Sequence, residues 1–160
     1  MVQGAEEGCR AGGYGEILVV IGVVGSEAAK FTEVTEAKAR IAIRELLPLA
    51  DLVVSGACHL GGIDLWAVEE AILASVPTHE FPPARLTWNG GYRERNLEIV
   101  QASDFVVCIT VKKLPPNYTG MRFQYCYHCH TSDHVKSGGC WTVKQALQMD
   151  KLGDIVVIGE

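Results

Sequence analysis

The chain has 160 residues, is 48% hydrophobic and 21% charged, and carries a net charge of −5. That size and balance fit one globular domain with a real core, and the acidity argues against a general nucleic-acid binder, which needs positive surface to displace counterions. A small phosphorylated ligand stays open, because a few backbone N–H groups and one arginine can hold a phosphate.

No apolar run approaches the roughly 20 residues of a membrane span. The start, "MVQGAEEGCRAGGYG", has neither the basic head nor the apolar stretch of a signal peptide. It reads as a loose, Gly-rich arm over 1–15, and a cytoplasmic protein is the expectation.

From 16 to 24, "EILVVIGVV" is a continuous β-branched run of the kind buried on both faces of a parallel sheet. It ends at Gly25-Ser26. A helix is predicted from Glu33, capped by Thr32, with Glu33 and Glu36 at the positive end of its dipole. Ala37, Ile41 and Leu46 recur at helical spacing, and Pro48 ends it. A second strand over 50–56 opens into the loop "SGACHLGGID". The next helix, 64–74, carries Val68, Ala71 and Ile72 on one face, and "THEF", 78–81, is a short strand stopped by Pro82-Pro83. Over 91–103, "GYRERNLEIVQAS" is helical, with Leu97 and Val100 inward and arginines outward. A buried strand follows at 104–110, then an irregular insertion over about 111–140. A helix from Thr142 to Met149 and a strand at 154–159 close the chain.

Every strand looks fully buried, and strands alternate with helices. The fold class expected is α/β: a three-layer Rossmann-like fold with a mostly parallel five-stranded sheet, one domain over 16–160. In such sheets ligands bind outside the carboxyl ends of the strands. Four places there concern an anion. Gly25-Ser26 follows the first strand. Ser55, Gly56, Gly61, Gly62 and Asp64 form a strand-to-helix loop whose glycines let N–H groups approach a phosphate, or merely make a tight turn. Gly138, Gly139 and Thr142 repeat that device before the last helix. Arg93, Arg95 and Asn96 occupy the first turns of the helix at 91–103; Arg95 and Asn96, one residue apart, point to different faces.

In order, "VVGSEAAKF", "SGACHLGGIDLWAVEEA", "GYRERNLEIVQASDFVVCI" and "GGCWTVKQA" resemble the successive motifs of the SLOG superfamily, over about 16–158 without the insertion. That group of Rossmann-like domains includes the Lonely Guy phosphoribohydrolases, DNA-processing protein A and the YpsA-type proteins. The resemblance implies a nucleotide or nucleotide-derived ligand at the carboxyl edge, and a homo-oligomer paired through helices. The helix at 64–74, with Trp66 exposed, is the expected contact. Two departures bear on chemistry. Glu27 stands where many relatives have an arginine. Val143, Lys144 and Gln145 follow Thr142, where Lonely Guy enzymes carry a catalytic glutamate. Asp64, Glu69 and Glu98 are the substitutes within reach, so binding is favoured over N-glycosidic hydrolysis.

Of six cysteines, Cys58 and Cys108 read as small core residues and Cys9 lies in the arm. The rest cluster in "CYHCHTSDHVKSGGCWT", 126–142. Cys126-x2-Cys129 makes a turn whose two thiolates grip one side of a zinc ion, and His134 and Cys140 complete a tetrahedral set, with His128 and His130 as alternatives. Four protein ligands make the metal structural, closing an insertion too polar to order itself by burial. Lys112, Lys113, Arg122 and Lys136 interleave there with Tyr118, Phe123, Tyr125, Tyr127 and Trp141. The rings either pack around the metal or stack on a base; single-stranded nucleic acid is the less favoured partner.

Overall fold

The computed structural model describes residues 18–123 and 125–160. The N-terminal arm, Cys9 and the first two residues of the expected opening strand lie outside them. Five strands are β1 (Val20–Gly25), β2 (Leu52–Ser55), β3 (Thr78–Glu80), β4 (Phe105–Val111) and β5 (Leu152–Ile158). Four helices are α1 (Glu33–Leu46), α2 (Ile63–Leu73), α3 (Arg93–Ala102) and α4 (Gly138–Gln148). The sheet runs β3-β2-β1-β4-β5 and every pairing is parallel, with Gly22 of β1 opposite Val54 and Val106.

Alternation along the central strands divides the core in two. Ile21, Val23, Val53, Val107 and Ile109 face Ala39 and Ile43 of α1 and Ile63, Trp66, Ala67 and Ala71 of α2. Val24, Val54, Val106 and Cys108 face Ile99 and Val100 of α3 and Cys140, Val143 and Ala146 of α4. This is the three-layer α/β arrangement. No helix among the described residues is long and apolar enough to cross a membrane.

Several local expectations change. Thr32 does cap α1, in a reciprocal pair with Thr35, but the inward stripe is Thr35, Ala39 and Ile43, while Ala37 and Ile41 are exposed. Both stripes have helical spacing, and the sheet takes the one that lies toward Ile21 and Val23. On α2, Ile72 is exposed and Trp66 is buried, edge-on to Phe31 at 4.9 Å. The exposed apolar residues of that helix are Leu65, Ile72 and Leu73. Strand β5 is an edge strand with Leu152 and Val157 exposed, so it is not fully buried. Helix α4 begins four residues early: Ser137 caps it by accepting from the Gly139 N–H at 3.0 Å, and the glycines form its first turn.

Between α1 and α2 lies a charged clamp. Glu70, only 5% exposed, accepts from Arg40 Nη1 at 2.9 Å and Arg44 Nε at 2.7 Å. Arg40 also reaches Glu69 at 2.8 Å and Glu36 at 3.0 Å, and lies over the Trp66 ring. Removing one partner of a buried pair leaves its charge uncompensated. Here, though, Arg44 is open to water and Arg40 keeps Glu36 and Glu69, so Glu70→Ala is expected to cost about 1–2 kcal/mol and Glu69→Ala, at the exposed end, under about 1 kcal/mol, read as urea midpoints.

Candidate functional site

At the carboxyl ends of β1, β2 and β4 a cleft of about 260 Å³ opens. Its floor begins at Gly25-Ser26. Ser26 is buried, its hydroxyl 2.9 Å from that of Thr110 on β4, and Thr110 in turn donates to the Val135 carbonyl at 2.8 Å. The loop after β1 is thus tied both to the neighbouring strand and to the insertion.

The β2–α2 loop forms one wall. Ser55 donates to the Asp64 carbonyl at 2.9 Å, holding the loop ends together. Gly62 has φ +85°, and a Cβ there would collide with the Ser26 carbonyl. Glycine is what lets the start of α2 press against the β1 loop. Gly56 permits a second close approach, because a Cβ on it would occupy the space of the Arg95 guanidinium. That guanidinium is buried. Its Nη1 donates to the Gly56 and Phe81 carbonyls and its Nε to Asn96 Oδ1 at 2.7 Å. Arg95 and Asn96 therefore both turn inward and line the cleft, contrary to the expectation of opposite faces and of outward arginines. Asp64 is also buried, with its Oδ2 3.8 Å from Arg95 Nη1. Burial pushes its carboxyl up to about 6, and the guanidinium and the Cys58 backbone N–H only partly offset this.

The first turn of α4 forms the opposite wall, through Ser137, Gly138, Gly139 and Thr142. Thr142 donates back to the Gly138 carbonyl at 3.1 Å, so it sits inside the helix rather than at its start. Lys30 projects here, its side chain 13% exposed, 3.4 Å from the Lys136 carbonyl and 4.0 Å from Glu27. Burial lowers its pKa. Glu27 at this wall is thus answered by a lysine three residues on.

Behind α4 lies the cysteine-histidine cluster. One donor atom from each of Cys126, Cys129, His134 and Cys140 lies within 4.8 Å of all the others. Paired backbone bonds between Cys126 and Thr131 (2.8 and 3.3 Å) fold the segment into a small knuckle. Val135 N–H donates to the Val111 carbonyl at 2.9 Å and returns the insertion to β4. Zinc–sulfur bonds near 2.3 Å put tetrahedral ligands about 3.8 Å apart, and Cys140 Sγ to His134 Nε2 is 3.7 Å. The donor set fits a divalent soft-to-borderline metal. Burial and the neighbouring Cys140 push the Cys129 thiol up to about 12, the crowding a cation would relieve. His128 and His130 stay outside the group.

No protein-family model matches the sequence, and no curated protein does. Solved structures do. The molybdenum cofactor carrier protein of Chlamydomonas reinhardtii is 17% identical, over 86% of this chain and 76% of that one, at a TM-score of 0.57. DNA processing protein A of Streptococcus pneumoniae is 14% identical over 88% of this chain and half of its own length, at 0.56. The Helicobacter pylori protein of that name, described for its single-stranded DNA binding mode, is 15% identical over 88% of this chain and 66% of its own, at 0.54. The chain shares the Rossmann-like fold of these proteins.

On that frame the expected residues separate. Gly25, Ser26, Asp64, Arg95, Asn96, Gly138, Gly139 and Thr142 line one cleft. Ser55, Gly56, Gly61 and Gly62 support its wall from behind. Arg93 is exposed, 3.3 Å from Glu94, and stands apart. Cys108 is core, while Cys58 is half-buried and faces the cleft. Trp88, Tyr92 and Lys30 line it too, without a periodic pattern to mark them: Trp88–Tyr92 is an irregular turn and Lys30 belongs to a three-residue one. In the insertion, Lys136 lies over the rings of Phe123 and Tyr127 at 4.5 and 5.2 Å, and Trp141 meets Trp88 edge-on at 4.9 Å.

Because folding raises the Asp64 pKa, the native state holds that proton where the unfolded chain has lost it. Stability from this group is full below about pH 4 and is lost as pH rises through about 6. Asp64→Asn is expected to match the wild type in melting temperature at pH 4. At pH 8 it should exceed it, by up to about 3 kcal/mol in stability. A variant less stable at pH 8 would make Asp64 chiefly the counter-ion of Arg95.

Proposed function

We propose that the cleft binds a nucleotide or nucleotide-derived ligand, and that Cys126, Cys129, His134 and Cys140 hold a structural zinc that orders the first turn of α4. One observation carries the reading. Separate stretches of chain bring anion-binding and ring-binding groups into a single cleft. The start of α4 and Lys30 are the first kind; Trp88, Tyr92 and the polar groups of Asp64 and Asn96 are the second. Helix N-termini and glycine backbones favour phosphate, and indole and phenol rings favour a planar heterocycle. The names of the fold neighbours, a carrier of molybdenum cofactor and a protein with a single-stranded DNA binding mode, are compatible with ligands that combine phosphate and heterocycle.

Zinc is the metal that a Cys3His set favours, and four protein ligands leave no open position for a substrate water. The metal's part is thus mechanical. Three thiols kept for a metal fit a reducing, cytoplasmic setting. The exposed Leu65, Ile72 and Leu73 of α2 fit a contact with a second copy. Cleavage of a nucleoside monophosphate at its N-glycosidic bond is the second reading. It draws on Asp64, a cleft carboxyl held near pH 6 and so able to exchange a proton.

Native mass spectrometry beside the denatured mass tests both halves. One zinc per chain and an ultraviolet-absorbing phosphorylated compound are expected. Cys129→Ser is expected to lose the zinc and weaken nucleotide binding at least tenfold. Protein without metal under reducing conditions overturns the zinc site. A panel of nucleotides that fails to bind overturns the ligand, and release of free base moves the protein to the hydrolase reading.

A further inference from the structure

Two groups on the cleft floor are left with unused hydrogen-bonding capacity. Asn96 is 6% exposed and accepts from Arg95 Nε with its Oδ1. Its amide NH2 therefore faces the other way, and no acceptor meets it within hydrogen-bond distance among the described residues. Asp64, also 6% exposed, lies beside a guanidinium whose Nη1 is already committed to the Gly56 and Phe81 carbonyls and stands 3.8 Å away. The carboxylate keeps acceptor capacity that only the Cys58 backbone N–H partly fills. Buried polar groups are ordinarily satisfied, so an acceptor and a donor left open in one cleft, both beside the Arg95 guanidinium, describe the ligand that completes them.

We infer that Asp64 and Asn96 read a 2-amino-4-oxopyrimidine edge, the edge shared by guanine and pterins. This rests on the proposed ligand reading and narrows it. The two adjacent N–H donors of that edge match the two oxygens of a carboxylate, and its neighbouring carbonyl matches the Asn96 amide. Adenine presents the opposite order: a ring-nitrogen acceptor would face the carboxylate, and an amino donor would face the amide. Trp88 and Tyr92 supply the ring wall. A cleft of about 260 Å³ lined by both Asp64 and Gly138 also suits one mononucleotide laid across it.

Isothermal titration of the zinc-loaded protein with GMP, IMP, AMP and a 6-hydroxymethylpterin phosphate tests this. GMP is expected to bind at least about tenfold more tightly than IMP, which lacks the 2-amino group, and IMP more tightly than AMP. Asp64→Asn places an amide donor against the 2-amino group. The ratio of GMP to AMP affinity should then collapse or invert, with zinc content unchanged. A purely electrostatic or structural part for Asp64 would move all four ligands together. Comparable affinities for GMP and AMP, or an Asp64→Asn effect uniform across the panel, overturns the edge reading and leaves the cleft as a general nucleotide site. Failure of the whole panel overturns the nucleotide reading itself. Between the two sources of the edge, the tighter of GMP and the pterin phosphate names the ligand.

Discussion

A single buried guanidinium organises the cleft side of this fold. Arg95 is the third residue of α3, yet its bonds reach the Gly56 carbonyl beyond β2, the Phe81 carbonyl beyond β3 and the neighbouring Asn96. Three parts of the chain that converge only at the sheet's carboxyl edge are thereby held at fixed spacing. The charge is tolerable there because carbonyl dipoles surround it and Asp64 lies close by. The Phe81 N–H already donates to the Ser55 carbonyl at 2.8 Å, and the guanidinium adds the tie from both of these chain ends to α3.

The opposite side solves the same problem by different means. Between β4 and α4 the chain runs through a polar insertion that contributes Cys126 and Val135 to the two cores, with Leu114 and Cys129 partly buried against them. Ordering so long a segment by burial alone would need more apolar area than it has. The Cys126–Thr131 knuckle, the Val135–Val111 bond and the convergence of four metal-type donors fix it instead. Lys136, laid over Phe123 and Tyr127, and the carbonyl bonds of Arg122 to Pro115, Pro116 and Tyr118 draw cations and rings into packing contacts within the insertion.

Much of the architecture could be read from the sequence because β1, β2 and β4 are unbroken β-branched runs, and such runs belong in a covered parallel sheet. The cysteine-histidine group was legible because its members lie within fifteen residues of one another. The rest failed for identifiable reasons. "DIVVIG" reads the same in the middle of a sheet and at its edge, so the exposure of Leu152 and Val157 was invisible. Gly138-Gly139 looked like a loop, since nothing local shows that Ser137 supplies the cap that carries helix through them. Arg95 looked solvated because its acceptors lie 14 and 39 positions away. Lys30 carried no signal, its burial coming from the insertion packed beside it.

Cys140 and Gly139 are adjacent in one helical turn, and that adjacency has a thermodynamic consequence. The thiol belongs to the donor cluster and the glycine to the cleft. On the proposed reading, whatever orders that turn for one occupant orders it for the other, so the two binding equilibria would share a common conformational term. Linkage then requires the effect to be mutual: an occupied cleft would tighten the hold on a metal by the same free energy by which the metal tightens the hold on the ligand. Such a chain would register two unlike chemical species, one inorganic and one organic, through the order of a few backbone atoms.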